Sequence, residues 1–270
     1  MTVVDVLAGP GAGVDDSAPI ARANPVAKLA VAAAVSVALV LTVDVVTAAT
    51  ALALELLALP WCGLRPRALL RRGRVVLAGA IPAGVITALL GVDSGAVLLH
   101  AGPLTVTQGS LAAGVAIALR ILAIGLPGVV LLSTTDPTDL ADALAQVLKL
   151  PHRFVLAALA AMRLFGVLAQ EWQALRLARR ARGLGDDGVL GRARTFAGLV
   201  FALLVLAVRR ATVLATTMES RGFGATKQRT WARKSVFTRR DGVVVLGGVA
   251  LAVTATIAGI AAGTWHLVIL

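Results

Sequence analysis

This chain has no tyrosine, and phenylalanine and tryptophan together supply only 4% of it. Stacking platforms for bases are therefore scarce, so a net charge of +12 does not by itself point to nucleic acid. A single cysteine, Cys62, excludes an internal disulfide. The three histidines, His100, His152 and His266, stand too far apart in sequence to show metal-ligand spacing. Gly9, Gly11 and Gly13 are not followed by the Gly-Lys-Ser/Thr of a phosphate-binding loop. There is no serine or cysteine nucleophile constellation. The first residues lack the basic start and apolar core of a cleaved signal peptide. Charged residues are 15% of the chain, well under the roughly one quarter usual in a soluble domain. The reading therefore calls for no catalytic residue, no cofactor, no metal site and no nucleic-acid partner.

What the chain does have is apolar length, with 58% hydrophobic residues arranged in runs that approach or exceed a membrane span. The expected fold is an all-α membrane protein with about five transmembrane helices plus a cytoplasmic module of helices. Residues 1–23, rich in Gly, Asp and Ala, form a mobile N-terminal segment. Residues 24–132 carry the N-terminal transmembrane helices. Asn24-Pro25 marks a helix start, with Asn as cap and Pro in the first turn. Val26 to Leu59 is nearly all apolar. As one helix it would be about 50 Å long, so two short spans turning near Asp44 fit better. Val75 to Val92 is a third span with Pro82 as a kink, and Leu111 to Leu132 a fourth. The segment between them, Asp93 to Ser110, has no Lys or Arg and reads as external. Residues 241–270 hold the last span, Val243 to His266, with Trp265 near the outer interface. Arg65, Arg67, Arg71, Arg72 and Arg74 set the N-terminus inside.

Residues 133–240 read as a cytoplasmic module skirting the membrane. Ser133-Thr134-Thr135-Asp136-Pro137 starts an amphipathic helix over Thr138 to Leu150. A second helix runs from His152 to about Arg182 and a third from about Arg194 to Arg221. The apolar stretch Phe196 to Val208 of the third is only about 20 Å long and has arginines at both ends. The second and third helices end in one phrase written twice: Ala181-Arg182-Gly183-Leu184-Gly185 and Ser220-Arg221-Gly222-Phe223-Gly224. One Arg-Gly is an ordinary helix stop, a glycine beyond the last turn with a cation at the negative end of the dipole. Two in the same pattern suggest two equivalent sockets on a partner. Basic residues that follow, including Lys227, Arg229, Arg233, Lys234, Arg239 and Arg240, fit an anchor on anionic lipid.

Two ionisable residues lie within spans, Glu55 and Arg120. A charge there is costly unless partnered. Each stands nine or ten residues from the outer end of its span, so the two can meet at one depth and form a structural intramembrane pair. The other reading has Arg120 snorkelling or facing polar backbone, with Glu55 neutral or facing the cytoplasmic module.

With these residues in view, the chain resembles the T component of energy-coupling factor (ECF) transporters, a branch of the ATP-binding-cassette systems. The resemblance is strongest from Arg120 through Thr230. It rests on Arg120, on Ser133-Thr134-Thr135-Asp136-Pro137-Thr138-Asp139-Leu140, and on the two signatures Ala181-Arg182-Gly183 and Ser220-Arg221-Gly222, the second with Ser where the family has Ala. It implies a non-catalytic scaffold in the cell membrane that links two ATPase subunits, equal or unequal, to a substrate-binding membrane subunit, the S component, for uptake of a vitamin or a transition-metal ion. The arginine of each signature would enter a groove of one ATPase. Arg is suited to this, being a rigid, permanently charged fork that can hold a carboxylate bidentately. A self-sufficient permease or channel is the competing reading, but it requires polar spans, and these are nearly bare. A membrane-anchored enzyme lacks any reactive constellation.

Overall fold

The computed structural model describes residues 17–42, 44–91, 94–101, 104–183, 188–223 and 231–264. Gly9, Gly11, Gly13, Asp93, Leu184, Gly185, Gly224, Lys227, Arg229, Trp265 and His266 lie outside the described residues. The elements are α1 (Pro25–Val40), α2 (Val45–Ala58), a short 3-10 turn (Leu59–Cys62), α3 (Pro66–Leu90), β1 (Val97–Ala101), β2 (Leu104–Thr107), α4 (Gln108–Thr134), α5 (Pro137–Gln146), α6 (His152–Ala181), α7 (Gly188–Ser220) and α8 (Arg239–Ala261).

The helix starts follow local chemistry. The Asn24 side chain accepts from the Val26 amide at 3.0 Å, with Pro25 in the first turn. Asp44 ends the turn after α1 and caps α2 through the Thr47 amide at 2.9 Å. Thr107 and Ser110 form a capping box on α4, and Thr238 and Asp241 form one on α8. Pro82 and Pro127 lie inside α3 and α4 without ending them.

The all-helical expectation needs one addition. β1 and β2 pair antiparallel, Ala101 opposite Leu104 and His100 opposite Thr105. β-branched Thr105, Val106 and Thr107 suit extended pairing, and the ladder satisfies backbone groups that an irregular loop would leave open.

The chain divides into two compact units. One contains Leu144–Lys234, the other Gly9–Ala143 with Ser235–Leu270. In the second unit α3 packs along α4, α1 along α8, and α2 against both α4 and α8. Its centre is made of small residues: Ala48, Ala51, Ala123, Ala252 and Ala255 around Val35 and Leu39. Small side chains let helix backbones approach, which is how helices associate in a bilayer without a hydrophobic driving force. At the α3–α4 crossing, a Cβ on Gly84 would lie 2.8 Å from the Gly114 carbonyl oxygen. In the first unit α6 and α7 form a helix pair.

Six helices among the described residues are long and apolar enough to cross a membrane: the segments Val45–Cys62, Arg67–Leu90, Gln108–Thr134, His152–Ala181, Gly188–Ser220 and Arg239–Ala261. α1 is shorter, at 16 residues. The sequence reading of five included α1 and left out α6 and α7, because their charges interrupt every apolar run.

Candidate functional site

The two Arg-Gly phrases are built alike. α6 ends at Ala181, Arg182 follows with near-helical torsions, and Gly183 turns left-handed at φ 68°. The Gly183 amide donates to the Arg180 carbonyl at 3.0 Å. α7 ends at Ser220, and Gly222 is left-handed at φ 76°. There the Gly222 amide donates to Glu219 and the Phe223 amide to Met218, both at 2.9 Å. The second end is thus a complete Schellman motif, in which a residue without a Cβ takes the left-handed position at least cost. α8 ends the same way, on Gly263 at φ 68°, but with Ala262 in place of arginine. The glycine alone accounts for the stop; the arginines at 182 and 221 are not needed for it.

Arg182 and Arg221 are exposed, as are Ala181, Gly183, Ser220 and Gly222. Among the described residues, a Cβ on either glycine would meet nothing within 4 Å. The Ser220 hydroxyl donates to the Thr217 carbonyl at 2.9 Å, back into its own helix. In this respect Ser serves where Ala would.

The structure does not bring the two arginines together. Trp172 of α6 meets Phe196 of α7 edge to face, with ring centroids 5.7 Å apart. Arg179 donates to the Thr195 carbonyl at 3.1 Å and occupies space beside Gly198. Arg210 pairs with Glu171. Later residues of α6 thus meet earlier residues of α7, and the helices run against each other. Arg182 therefore lies near the Thr195 end of α7. Arg221 lies 26 residues beyond Thr195, about 40 Å along the axis at 1.5 Å per residue. The pair presents one arginine at each end.

Between these ends the helices are open. Phe154, Phe165 and Leu177 of α6 and Phe196, Phe201 and Leu204 of α7 are all more than half exposed. Among the described residues, Val155 is the one buried side chain of α6 and Leu199 that of α7.

The second unit shows what sequence reasoning missed. Lys28 is buried, and its ammonium donates to Ala21 O (2.8 Å), Thr134 O and Oγ1 (both 3.0 Å) and Thr135 Oγ1 (3.3 Å). It thereby ties the start of α1 to the end of α4. Beside it, Asp241 accepts from the Asn24 amide at 2.6 Å while capping α8 through Thr238. The Asn24 side chain donates to Ser235 and Val236. Three segments far apart in sequence meet in one polar knot. A Lys alone in an apolar run and the Thr-x-x-Asp of a capping box were the visible signals.

The Glu55–Arg120 pair is not formed. Arg120 donates to the carbonyls of Leu39 at 2.6 Å and Val40 at 3.3 Å. These are terminal carbonyls of α1 that lack helical partners, and a guanidinium suits the negative end of the helix. The recess holding Arg120 is lined by Asp44, at the start of α2. Glu55 lies 11 residues further along α2, about 16 Å away. Glu55 is 6% exposed, and neither carboxyl oxygen has a hydrogen-bond partner among the described residues. Equal residue counts from the outer ends ignored the reach of the arginine side chain toward the end of α1.

Comparison with known proteins follows the same segments. A family model described as "Cobalt transport protein", CbiQ, matches residues 16–231. The energy-coupling factor transporter transmembrane protein EcfT of Bacillus subtilis strain 168 is 31% identical over 173 residues, covering 61% of this chain and 65% of the relative. The EcfT of Exiguobacterium sibiricum is 32% identical over 175 residues, covering 62% and 66%. That of Limosilactobacillus fermentum is 28% identical over 194 residues, covering 68% and 69%. The chain thus spans just under two thirds of the first two relatives.

Proposed function

The chain belongs to the cobalt transport protein family, CbiQ, and from that premise we propose that it is the transmembrane T component of an energy-coupling factor importer. In this reading it hydrolyses nothing itself. Two ATPase subunits dock at its Arg-Gly helix ends, and a substrate-binding S component moves against its helices. The observation that carries the reading is the duplicated arginine: two helix ends of one geometry, both exposed, each holding an arginine the turn does not require. Two sockets at opposite ends of one helix pair suit two ATPases that must be moved as a unit. The guanidinium remains charged when a partner covers it, and the bare glycine beside it lets that partner approach the backbone.

The apolar faces of α6 and α7 support the rest. Half-exposed Phe, Leu and Met side chains over two long helices require either lipid or a membrane subunit to cover them. Charges argue that these helices lie along the cytoplasmic membrane face. The longest uncharged run in α6 is nine residues, Phe154–Met162, and in α7 fourteen, Thr195–Val208. A span needs about 20. The cargo, a vitamin or a transition-metal ion, is then chosen by the S component.

A second reading, a self-sufficient permease with α6 and α7 as spans, has their length and mean composition in its favour. Purification separates the two. A T component brings ATPase subunits with it, and replacing both Arg182 and Arg221 by Glu releases them; a lone permease purifies alone. For orientation, a single cysteine near Gly188 in a Cys62→Ser background is expected to escape an impermeant external label. Labelling from outside would refute the cytoplasmic placement.

A further inference from the structure

We infer that α1, α2, α4 and α8 enclose a binding site for a membrane amphiphile, an apolar molecule carrying one hydroxyl or amine that hydrogen-bonds to Glu55. The inference is independent of the T-component reading. A cavity of about 650 Å³ lies within the second unit, inside the size range of small-molecule sites. Its walls are almost wholly apolar, among them Val31, Val35, Leu126, Val130 and Leu251. Leu57 and Trp61, 69% and 62% exposed, are among its lining residues.

Glu55 is what makes the cavity more than a gap for lipid tails. Its residue is 94% buried, both carboxyl oxygens lack a partner among the described residues, and it lines the cavity. A buried polar group without a hydrogen bond carries the full cost of its lost hydration. The available internal cations are engaged elsewhere. Lys28 lines the same cavity, but its four hydrogen bonds go to Ala21, Thr134 and Thr135. Arg120 is turned to the end of α1. The missing partner therefore comes from whatever fills the cavity, and it is a donor.

Volume decides against a helix of another subunit. A helix is about 10 Å across, so 650 Å³ would hold only about five of its residues. A slender chain with a polar end enters between four helices without moving them. The class is thus an alkanol-like or alkylamine-like amphiphile drawn from the bilayer.

Cys62 provides a native reporter, because it lines the cavity and is the only cysteine of the chain. Full-length protein in phosphatidylcholine nanodiscs is treated with N-ethylmaleimide, and alkylation of Cys62 is timed by mass spectrometry. The probes are dodecanol, dodecylamine and dodecyl methyl ether, the last having the same apolar length but no donor. Dodecanol or dodecylamine is expected to slow alkylation at least fivefold at a concentration where the ether slows it less than twofold. Glu55→Leu, which fills the position with an apolar side chain of similar size, is expected to erase that difference while the protein stays folded. Equal protection by all three probes would mean nonspecific filling and would overturn the inference. So would no protection by any, or a donor preference that survives in Glu55→Leu.

Discussion

The two units are made from the same kinds of residue and end in opposite states. In Gly9–Ala143 with Ser235–Leu270, alanines and glycines draw the helices together. Polar groups from three distant segments find one another around Lys28 and Asp241. In Leu144–Lys234, two helices of 30 and 33 residues meet, among the described residues, at the Trp172–Phe196 ring pair, the Glu171–Arg210 ion pair and the hydrogen bond from Arg179 to the Thr195 carbonyl. Phe154, Phe165, Phe196 and Phe201, with Leu177 and Leu204, stay exposed. The unit of Gly9–Ala143 with Ser235–Leu270 closes on its own chain. The unit containing Leu144–Lys234 leaves its apolar faces and both arginines available to other molecules. Substitutions in one should therefore disturb folding, and in the other assembly.

The largest effect expected from a change in the open unit is on assembly. In the proposed assembly, replacing both Arg182 and Arg221 by Glu removes two charge pairs, each worth roughly 2–5 kcal/mol if the partner buries it. Loss of the ATPase subunits on copurification, with an unchanged melting temperature of the isolated chain, checks this. A fall in that melting temperature would break the contrast between the units.

In the closed unit, Lys28→Met withdraws a buried ammonium from four acceptors. A loss of roughly 3 kcal/mol is expected, by the usual scale for hydrogen bonds to charged groups. Thermal denaturation in detergent measures it, and Lys28→Arg serves as the charged control. Gly114→Ala should cost somewhat less, about 1–3 kcal/mol. The new Cβ would press on the Gly84 carbonyl and on Ala88 and push α3 from α4. Cysteine cross-linking across that crossing would report the shift. The smallest effect belongs to Glu171→Gln. The Glu171–Arg210 pair is about a third exposed on both sides, so its loss is expected to cost about 0.2–1 kcal/mol. A loss above about 2 kcal/mol would show α6 and α7 to be held together far more tightly than their few contacts imply.

Much of this was legible in the residues. Asn24-Pro25 announced a helix start and Asp44 a turn between two helices, and the structure has both. Helices over His152–Ala181 and past Arg194 were anticipated, α7 beginning six residues earlier than expected. The hairpin before α4 was missed, because an uncharged stretch between spans says where it is and not what it folds into. So was the role of Lys28, whose partners stand 106 and 107 residues away.

Local chemistry thus determined the membrane character, most helix boundaries and the two Arg-Gly ends, since runs of apolar residues, caps and left-handed glycines act within a few residues of chain. Tertiary structure decided the partners of the buried polar groups. Opposite charge suggested Glu55 with Arg120, yet the arginine was captured by two carbonyls at the end of α1 and the glutamate left facing an apolar cavity. Sequence fixes the charge and approximate depth of such a group. Its partner depends on which helix end lies within reach of the side chain, and that is settled only when the helices pack.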